Sequence, residues 1–540
     1  MGTTSPAAVT TADRHLHDLL VALAQPAAYQ HHPEHIQVVQ THISAVFLAG
    51  DEVYKLKKPI TLSFLDYSTL ALRRHFCEEE VRLNQRLAPS VYLGVVPVLR
   101  AASTYRVREA LNMHDATVVD YLVRMRRLPP ERTLDSLLRT DQVTKFGVHT
   151  LAKRLVHFHQ TAATTDAHLY GSPEVIWQAL ADNFAVTEPF VGQTIPHAHY
   201  ATIVDFSKQF FDSHQALFVQ RVRRGRVREG HGDLRCDHVY FLDEGLVIID
   251  CVEFSPRLRT CDVASELAFL AMDLEMRGAP NWAGELLHAY ATQAEDEELF
   301  SLLPFYQCYR AYVRGKVESL KSNESEIPDD ERDQARRQAR RAFRLAYRYA
   351  RGTPRPAIIA VCGQIATGKS TIAHLISEQT GFSVQNSDVV RKRLAGLLPT
   401  THATAEYKKG LYGPEFTRRT YEALRTVADE EVRSGRGIIL DATYKNPADR
   451  AALVTLADEL AVPLFFVECR ASVATIEQRL REREQQGDSA SDATRAIAEQ
   501  ERATFPALSD IPEEYHVIVD TEGDIDHGLA QLDERLLQAG

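Results

Sequence analysis

Nine consecutive residues, Gly363-Gln-Ile-Ala-Thr-Gly368-Lys369-Ser370-Thr371, have the spacing G-x-x-x-x-G-K-[ST]. The chemistry this spacing serves is the holding of phosphate. Glycines at both ends let Gln364, Ile365, Ala366 and Thr367 turn their backbone N–H groups inward, and the following helix adds its positive end. Lys369 then reaches the outer phosphates of ATP, the Ser370 hydroxyl offers an oxygen to Mg²⁺, and Thr371 completes the motif. An incidental glycine-rich turn is the competing reading. The flanks argue against it, because Ala357-Ile-Ile-Ala-Val361 reads as a strand and Ile372-Ala-His-Leu-Ile-Ser377 as a helix.

Three later features turn a nucleotide site toward phosphoryl transfer. Asp388, in Asn386-Ser-Asp388, follows the next strand, where a carboxylate facing the γ-phosphate can take a proton from an acceptor hydroxyl. Arg391 lies one turn further along the same face. Asp441 ends the strand-like Gly437-Ile-Ile-Leu, the place of a carboxylate that holds the metal's water shell. Arg479 and Arg483 stand at i and i+4 before the loop Gln485–Ser491, placed to close as a lid over the transferring phosphoryl group. The plainer readings are helix capping for the two aspartates and surface salt bridges for the two arginines.

These residues require a sheet edge to stand on. Short apolar runs at 357–361, 437–440, 463–467 and 516–519 alternate with amphipathic segments, the pattern of a doubly wound α/β domain with a parallel sheet over about 356–540. The block Ser387–Leu394, the run Gly437–Thr443 and the lid arginines resemble the P-loop kinases related to polynucleotide kinase, gluconate kinase, chloramphenicol phosphotransferase and zeta toxins. The resemblance implies an ATP-dependent kinase and leaves the acceptor open, since those relatives phosphorylate unrelated hydroxyls.

A second stretch, His231-Gly-Asp233-Leu-Arg-Cys-Asp-His238 followed by Leu246-Val-Ile-Ile-Asp250, sets one carboxylate in a tight loop and another at a strand end. It resembles the catalytic and metal loops of aminoglycoside phosphotransferases, which share the protein-kinase fold. The resemblance implies Asp233 as catalytic base and Asp250 as magnesium ligand. It also places Lys55 as the strand lysine, Glu80 as its helix partner, Leu122–Met125 at the hinge and Asp262 as a structural acid. His238 stands where the family has a metal-binding asparagine. Imidazole is a poor ligand for Mg²⁺, which prefers oxygen, so a regulatory or degenerate kinase fold is the alternative to an active one. For His231, bracing the loop is the expected role.

The implied architecture is an N-terminal extension (1–40), an α+β protein-kinase-like domain (41–320), a charged helical linker (321–355) and an α/β P-loop kinase domain (356–540). Such an arrangement resembles bacterial fusions of an aminoglycoside phosphotransferase-like half with an ATP-binding half. In the linker, an arginine-rich stretch carries Ala335, Ala339, Phe343, Ala346, Tyr347 and Ala350 at helical spacing, and its arginines form a solvated face or, alternatively, bind phosphate. The 540 residues carry a net charge of −11, which disfavours indiscriminate nucleic-acid binding, and seven scattered cysteines without a C-x-x-C pair argue for a reducing compartment. No apolar run approaches the ~18 residues of a membrane span, and Met1–Arg14 lacks the features of a secretory signal, so a cytoplasmic protein is expected. The expected function is a tandem kinase moving the γ-phosphoryl of ATP, with Mg²⁺, to a hydroxyl of a small polar molecule. The alternatives are a polynucleotide 5′-hydroxyl kinase, with Tyr407 or Tyr412 stacking a base near Lys408 and Lys409, and a nucleotide-dependent switch. Oligomeric state is not legible.

Overall fold

The computed structural model describes residues 11–62, 65–101, 104–108, 117–352, 354–397, 410–486, 505–506, 508–523 and 525–539. The chain divides into two compact units, Met1–Val186 with Ser207–Val313, and Thr187–Phe206 with Arg314–Gly540.

The first unit opens with a six-stranded antiparallel sheet. Its strands are β1 (Ile36–Gln40), β2 (Ser44–Ala49), β3 (Glu52–Lys57), β4 (Tyr92–Ala101), β5 (Thr104–Val107) and β6 (Thr117–Arg126), in the order β1-β2-β3-β6-β4-β5. Gly50, at φ +67°, makes the two-residue turn between β2 and β3 that only a residue free of Cβ takes without strain. The register sets Lys55 opposite Val46 on one side and Val123 on the other. Leu122–Met125, expected at a hinge, instead lies inside β6, paired on both edges. Val118, Val119, Tyr121 and Val123, β-branched or aromatic, favour a full strand over the ten positions.

The helix Leu70–Asn84 follows, capped by Thr69, whose hydroxyl accepts from the Leu72 amide. It turns Glu80 wholly inward. The rest of the unit is helical around an apolar core built from Lys145–Thr161, Val263–Met276 and Pro280–Ala294. The hairpin β7 (Val239–Leu242) and β8 (Gly245–Ile248) interrupts it.

The second unit is built on a five-stranded parallel sheet. Strands β9 (Ile358–Cys362), β10 (Ser383–Asn386), β11 (Ile438–Asp441), β12 (Leu464–Arg470) and β13 (His516–Asp520) run in the order β10-β11-β9-β12-β13. Every residue of β9 is buried, since helices cover both faces. Ile358, Ala360 and Cys362 join a core with Leu424 and Leu453, while Ile359 and Val361 join another with Ile372, Ile376 and Leu529. The helix Asp329–Arg351 belongs to this unit rather than serving as a free linker. Its Ala335, Ala339, Ala342 and Phe343 are buried. Arg341 and Arg344 bind Glu378 at 2.8 and 2.9 Å, and Tyr347 donates to Asp533. Neither a bare solvated face nor phosphate binding describes Arg341 and Arg344, which anchor the helix to the one that begins at Lys369.

Among the described residues, no helix is long and apolar enough to cross a membrane. All seven cysteines are free thiols.

Candidate functional site

The residues of the phosphate loop and its neighbours meet at the C-terminal ends of the parallel strands, where an open α/β sheet leaves its crevice. Strand β9 ends at Cys362, the loop turns, and a helix begins at Lys369. Two glycines make that turn possible. Gly363 has φ +129°, and a Cβ there would come within 2.6 Å of the Cys469 carbonyl oxygen; Gly368 has φ +94°. Ala366 also adopts a left-handed φ of +62°, a strained state for a residue with a Cβ. The loop is held from within and without. Thr367 Oγ1 donates to the Gln364 oxygen at 2.8 Å, Lys369 Nζ donates to the same oxygen at 2.7 Å, and Thr521 Oγ1 donates to the Thr367 oxygen at 2.7 Å.

Arg479 differs from its expected role as a lid. Its Nη2 donates to the Thr521 oxygen at 2.8 Å, and its Nη1 donates to Thr521 Oγ1 at 3.0 Å and to the Ala366 oxygen at 3.4 Å. Ile476 and Leu480, on the same helix Val473–Gln486, pack on Ala366. Through these contacts with the Ala366 oxygen and with Thr521, itself bonded to the Thr367 oxygen, the guanidinium braces the phosphate loop. Arg483 falls on the same helix, but its side chain lies outside the described residues, as do 487–491 of the expected lid loop.

Asp441 and Ser370, the two residues expected to hold a metal, come within hydrogen-bond distance of each other. Ser370 Oγ donates to Asp441 Oδ2 at 2.7 Å, and Asn386 Nδ2 donates to that same oxygen at 2.7 Å. A hydroxyl and a carboxylate are hard oxygen donors that fit Mg²⁺, which takes few protein ligands and completes its shell with water and phosphate. Among the described residues no cluster of three His, Cys, Asp or Glu forms a protein-only metal cage.

Asn386 was not singled out by sequence, yet it joins the two halves of the site. Its Oδ1 accepts the Asp388 and Val389 amides at 2.9 and 3.2 Å, capping the helix Ser387–Leu394, while its Nδ2 holds Asp441. Asp388 is thereby fixed at the helix start, and Arg391 Nη1 donates to it at 3.0 Å. The Arg391 guanidinium lies 4.5 Å from the Tyr412 ring centroid, and the Tyr412 hydroxyl is 3.4 Å from Asp388. One face of Tyr412 is therefore occupied by Arg391 rather than open for a base. Tyr407, Lys408 and Lys409 lie outside the described residues.

The first unit gathers a separate constellation. Lys55 Nζ lies 2.8 Å from Glu80 Oε1 and 2.8 Å from Asp250 Oδ1. Asp250 has a left-handed φ of +68°. Burial alone would raise the Asp250 carboxyl, but Lys55 and then His238 overcome it and hold the group well below the ordinary carboxylate range. A second, fully buried lysine was missed by sequence. Lys57 Nζ binds Glu80 Oε2 at 2.6 Å and also pairs with Glu253, which accepts from the Tyr67 hydroxyl at 2.5 Å. Strand β3, the helix of Glu80 and the segment after Asp250 are thus tied through one ammonium. Burial would raise Glu80, and Lys55 with Lys57 keep it below its ordinary value. Replacing Lys57 with Met leaves Glu253 buried without its cation, which costs about 3–5 kcal/mol. Tryptophan fluorescence reads this loss directly, because both tryptophans, Trp177 and Trp282, lie in the first unit. Urea unfolding of the full chain should show the fluorescence midpoint falling; an unchanged midpoint would mean that the network contributes nothing net.

Asp233 sits between Arg235 and His238. Arg235 Nε donates to its Oδ2 at 3.2 Å. The His238 ring has both nitrogens engaged: Nδ1 lies 2.8 Å from the Asp233 backbone oxygen and Nε2 3.0 Å from Arg235 Nη2. Nδ1 must donate to the carbonyl, so Nε2 is left to accept from Arg235. The lone pair a metal would need is already bonded, and Asp250 Oδ2 is 3.8 Å away. Instead of facing an open metal position, His238 is engaged by the Asp233 backbone oxygen and Arg235, between the carboxylates of Asp233 and Asp250. His231 braces the loop, its Nε2 at 2.8 Å from the Ile249 oxygen, and burial lowers its pKa to about 4. Glu266 accepts the Gly232 amide at 2.8 Å and lies 2.7 Å from His159. Asp262 caps Val263–Met276 and is bound by Arg221 at 2.7 and 2.9 Å.

Residues 358–508 match a family model described as an AAA domain. Over 464 residues the chain is 29% identical to uncharacterized proteins of Mycobacterium tuberculosis (strain H37Rv) and Mycobacterium bovis, covering 86% of this chain and 89% of each relative. Among solved structures it is similar to a sugar kinase from Janibacter sp. HTCC2649, at 18% identity, 34% of this chain, 96% of that chain and a TM-score of 0.25. It is also similar to the APS kinase of Mycobacterium tuberculosis solved with AMPPNP and APS (18%, 34%, 99% and 0.24). A gluconokinase from Sinorhizobium meliloti 1021 is a third (19%, 34%, 98% and 0.24). The loop geometry, the parallel sheet and the family match make the C-terminal unit a P-loop nucleotide-binding domain.

Proposed function

We propose that the chain is an ATP-dependent phosphotransferase whose second unit moves the γ-phosphoryl of ATP to a hydroxyl of a small polar molecule. The observation that carries this reading is the single side chain of Asn386. It fixes the carboxylate of Asp388 at a helix start and, through its other end, the Asp441–Ser370 pair beside the phosphate loop. A rigidly placed second carboxylate with its own arginine is what taking a proton from an acceptor hydroxyl needs.

In this reading the backbone N–H groups of 364–369 and the Lys369 ammonium bind the outer phosphates. Ser370 and Asp441 would hold Mg²⁺, which would supply neutralisation of phosphate charge. Asp388 takes the acceptor's hydroxyl proton, and Arg391 holds that carboxylate in place. Arg479 and Thr521 keep the loop from relaxing.

The pairing of Lys55 with Glu80 and Asp250 supports a second, aminoglycoside phosphotransferase-like kinase fold in the first unit, over about 41–320, with Asp233 as its base and Asp250 as its metal acid. An asparagine at 238 would supply the oxygen ligand that the engaged imidazole does not. In a Lys369→Ala background, His238→Asn is expected to tighten Mg²⁺-dependent nucleotide binding about tenfold, the lower end of what ligand-shell changes do to metal affinity. Asp250→Ala is expected to abolish it. Absence of nucleotide binding in the folded parent and in His238→Asn would make this unit a kinase fold without ATP. The acceptor class is tested by incubating the full chain with γ-labelled ATP and sugars, aminoglycosides, nucleosides or 5′-hydroxyl oligonucleotides. Label on small-molecule hydroxyls supports the proposal; label confined to oligonucleotides replaces it with a polynucleotide kinase.

A further inference from the structure

In the second unit, the turn that follows Asp441 contains a residue in a conformation it does not favour. Tyr444 has a left-handed φ of +46°, with its ring buried beside Tyr421 and Phe466. A residue with a Cβ stays there only where its surroundings hold it. Here side chains hold both of its backbone polar groups. The Tyr444 amide donates to the Tyr421 hydroxyl at 3.2 Å, and the Tyr444 oxygen accepts from Arg450 Nη1. Tyr421 is buried on the helix Pro414–Arg433, and Arg450, only 3% exposed, on the helix Pro447–Leu460. Asp510 fixes the guanidinium in turn, accepting from its Nε at 3.1 Å and from its Nη2.

What this turn holds is the start of the phosphate loop. The peptide group that gives its N–H to Tyr421 gives its C=O, that of Thr443, to the Gly363 amide at 3.3 Å. In a trans peptide these two groups point in opposite directions, so anchoring one aims the other. The Ala442 amide donates to the Val361 oxygen at 3.2 Å. The Thr443–Gly363 bond thus prolongs the pairing of β11 with β9 into the loop itself. Asp441, which accepts from Ser370, ends that same strand. The Tyr421 hydroxyl also lies 3.2 Å from Thr443 Oγ1, a second hold on the turn.

We infer that Tyr421 and Arg450 are positioning residues of the nucleotide site. They keep the Thr443–Tyr444 peptide in the orientation that seats Gly363 and steadies the strand end carrying Asp441. Neither side chain needs to touch the nucleotide for this. The inference rests on the reading of Ser370 and Asp441 as the metal pair, and not on which group accepts the phosphoryl.

Tyr421→Phe tests it, because it removes one hydroxyl and keeps the ring in the core. The variants are made in the full chain carrying Asp250→Ala, so that only the second unit's nucleotide site reports. In the nucleotide-free protein, hydrogen exchange of peptides spanning Gly363 and Thr443–Tyr444 should quicken about tenfold, as loss of one buried hydrogen bond allows. Calorimetric titration with the imido analogue of ATP and Mg²⁺ should show affinity falling about fivefold. Tyr347→Phe also removes a buried hydroxyl bond from this unit, to Asp533, and separates position from mere stability. It should leave both readouts at the parental value, even where its unfolding temperature falls as far. Arg450→Lys should act in the same direction as Tyr421→Phe, and the two together should be less than additive, because they hold one turn. Exchange and affinity in Tyr421→Phe no different from those in Tyr347→Phe would overturn the inference and leave the phosphotransferase reading standing. No binding of the Mg²⁺ nucleotide by the folded parent would overturn that reading, and this inference with it.

Discussion

Lys369→Ala in the full chain, with Asp250→Ala added to silence any nucleotide site in the first unit, is expected to cut γ-phosphoryl transfer at least about 10³-fold. The reason is geometric. The loop's glycines and the helix start aim partial positive charge at the phosphates, but Lys369 brings the only full charge within the motif itself. It is tethered to the Gln364 oxygen at 2.7 Å, so its ammonium stays within the ring that the loop closes. Alanine removes the charge and leaves the Thr367, Thr521 and Arg479 braces in place, so the fold should survive and thermal unfolding should be little changed. ATP affinity is expected to fall as well. Transfer at the parental rate would remove the P-loop from the reaction.

The second large effect separates acceptor chemistry from nucleotide binding. Asp388→Asn keeps the shape of the side chain and an oxygen for Arg391 Nη1, but removes the base. ATP affinity should remain within a few-fold, while transfer at saturating ATP falls by about 10²-fold or more, the usual contribution of a positioned general base. A collapse of ATP binding with transfer preserved would make Asp388 a metal or structural ligand. Asn386→Ala provides an internal comparison, because it loosens Asp388 and Asp441 together and should depress both affinity and transfer.

What was legible in the sequence was local. The phosphate loop, its strand and its helix are contiguous, so spacing alone placed them. Asp388 and Arg391 share one short helix for the same reason. Long-range partners were not legible. Lys57 lies two residues beyond Lys55 on the same face of β3, yet only the fold reveals that Glu253, nearly two hundred residues later, comes to meet it. Thr521 stands after the last strand and gave no signal before β13 was seen beside β12. Arg479 was misplaced because i, i+4 spacing says which residues share a face and not what that face packs on. His238 was flagged by its type; that Arg235 would occupy its nitrogen depended on the fold of the loop. The alanines of Asp329–Arg351 stood at helical spacing in the sequence, but that the helix belongs to the second unit and pairs with Glu378 depended on the fold.

The central claim is that the γ-phosphoryl moves to a hydroxyl and not to water. Its most direct test is the fate of that group when the full chain is incubated with ATP and a pool of polar metabolites, followed by mass spectrometry and by assay of free phosphate. The account predicts that ADP is formed in step with at least one metabolite bearing a new phosphoryl group, and that this product is lost in Asp388→Asn. ADP formed with only inorganic phosphate, at a rate indifferent to Asp388→Asn, would contradict it and leave a nucleotide-hydrolysing switch.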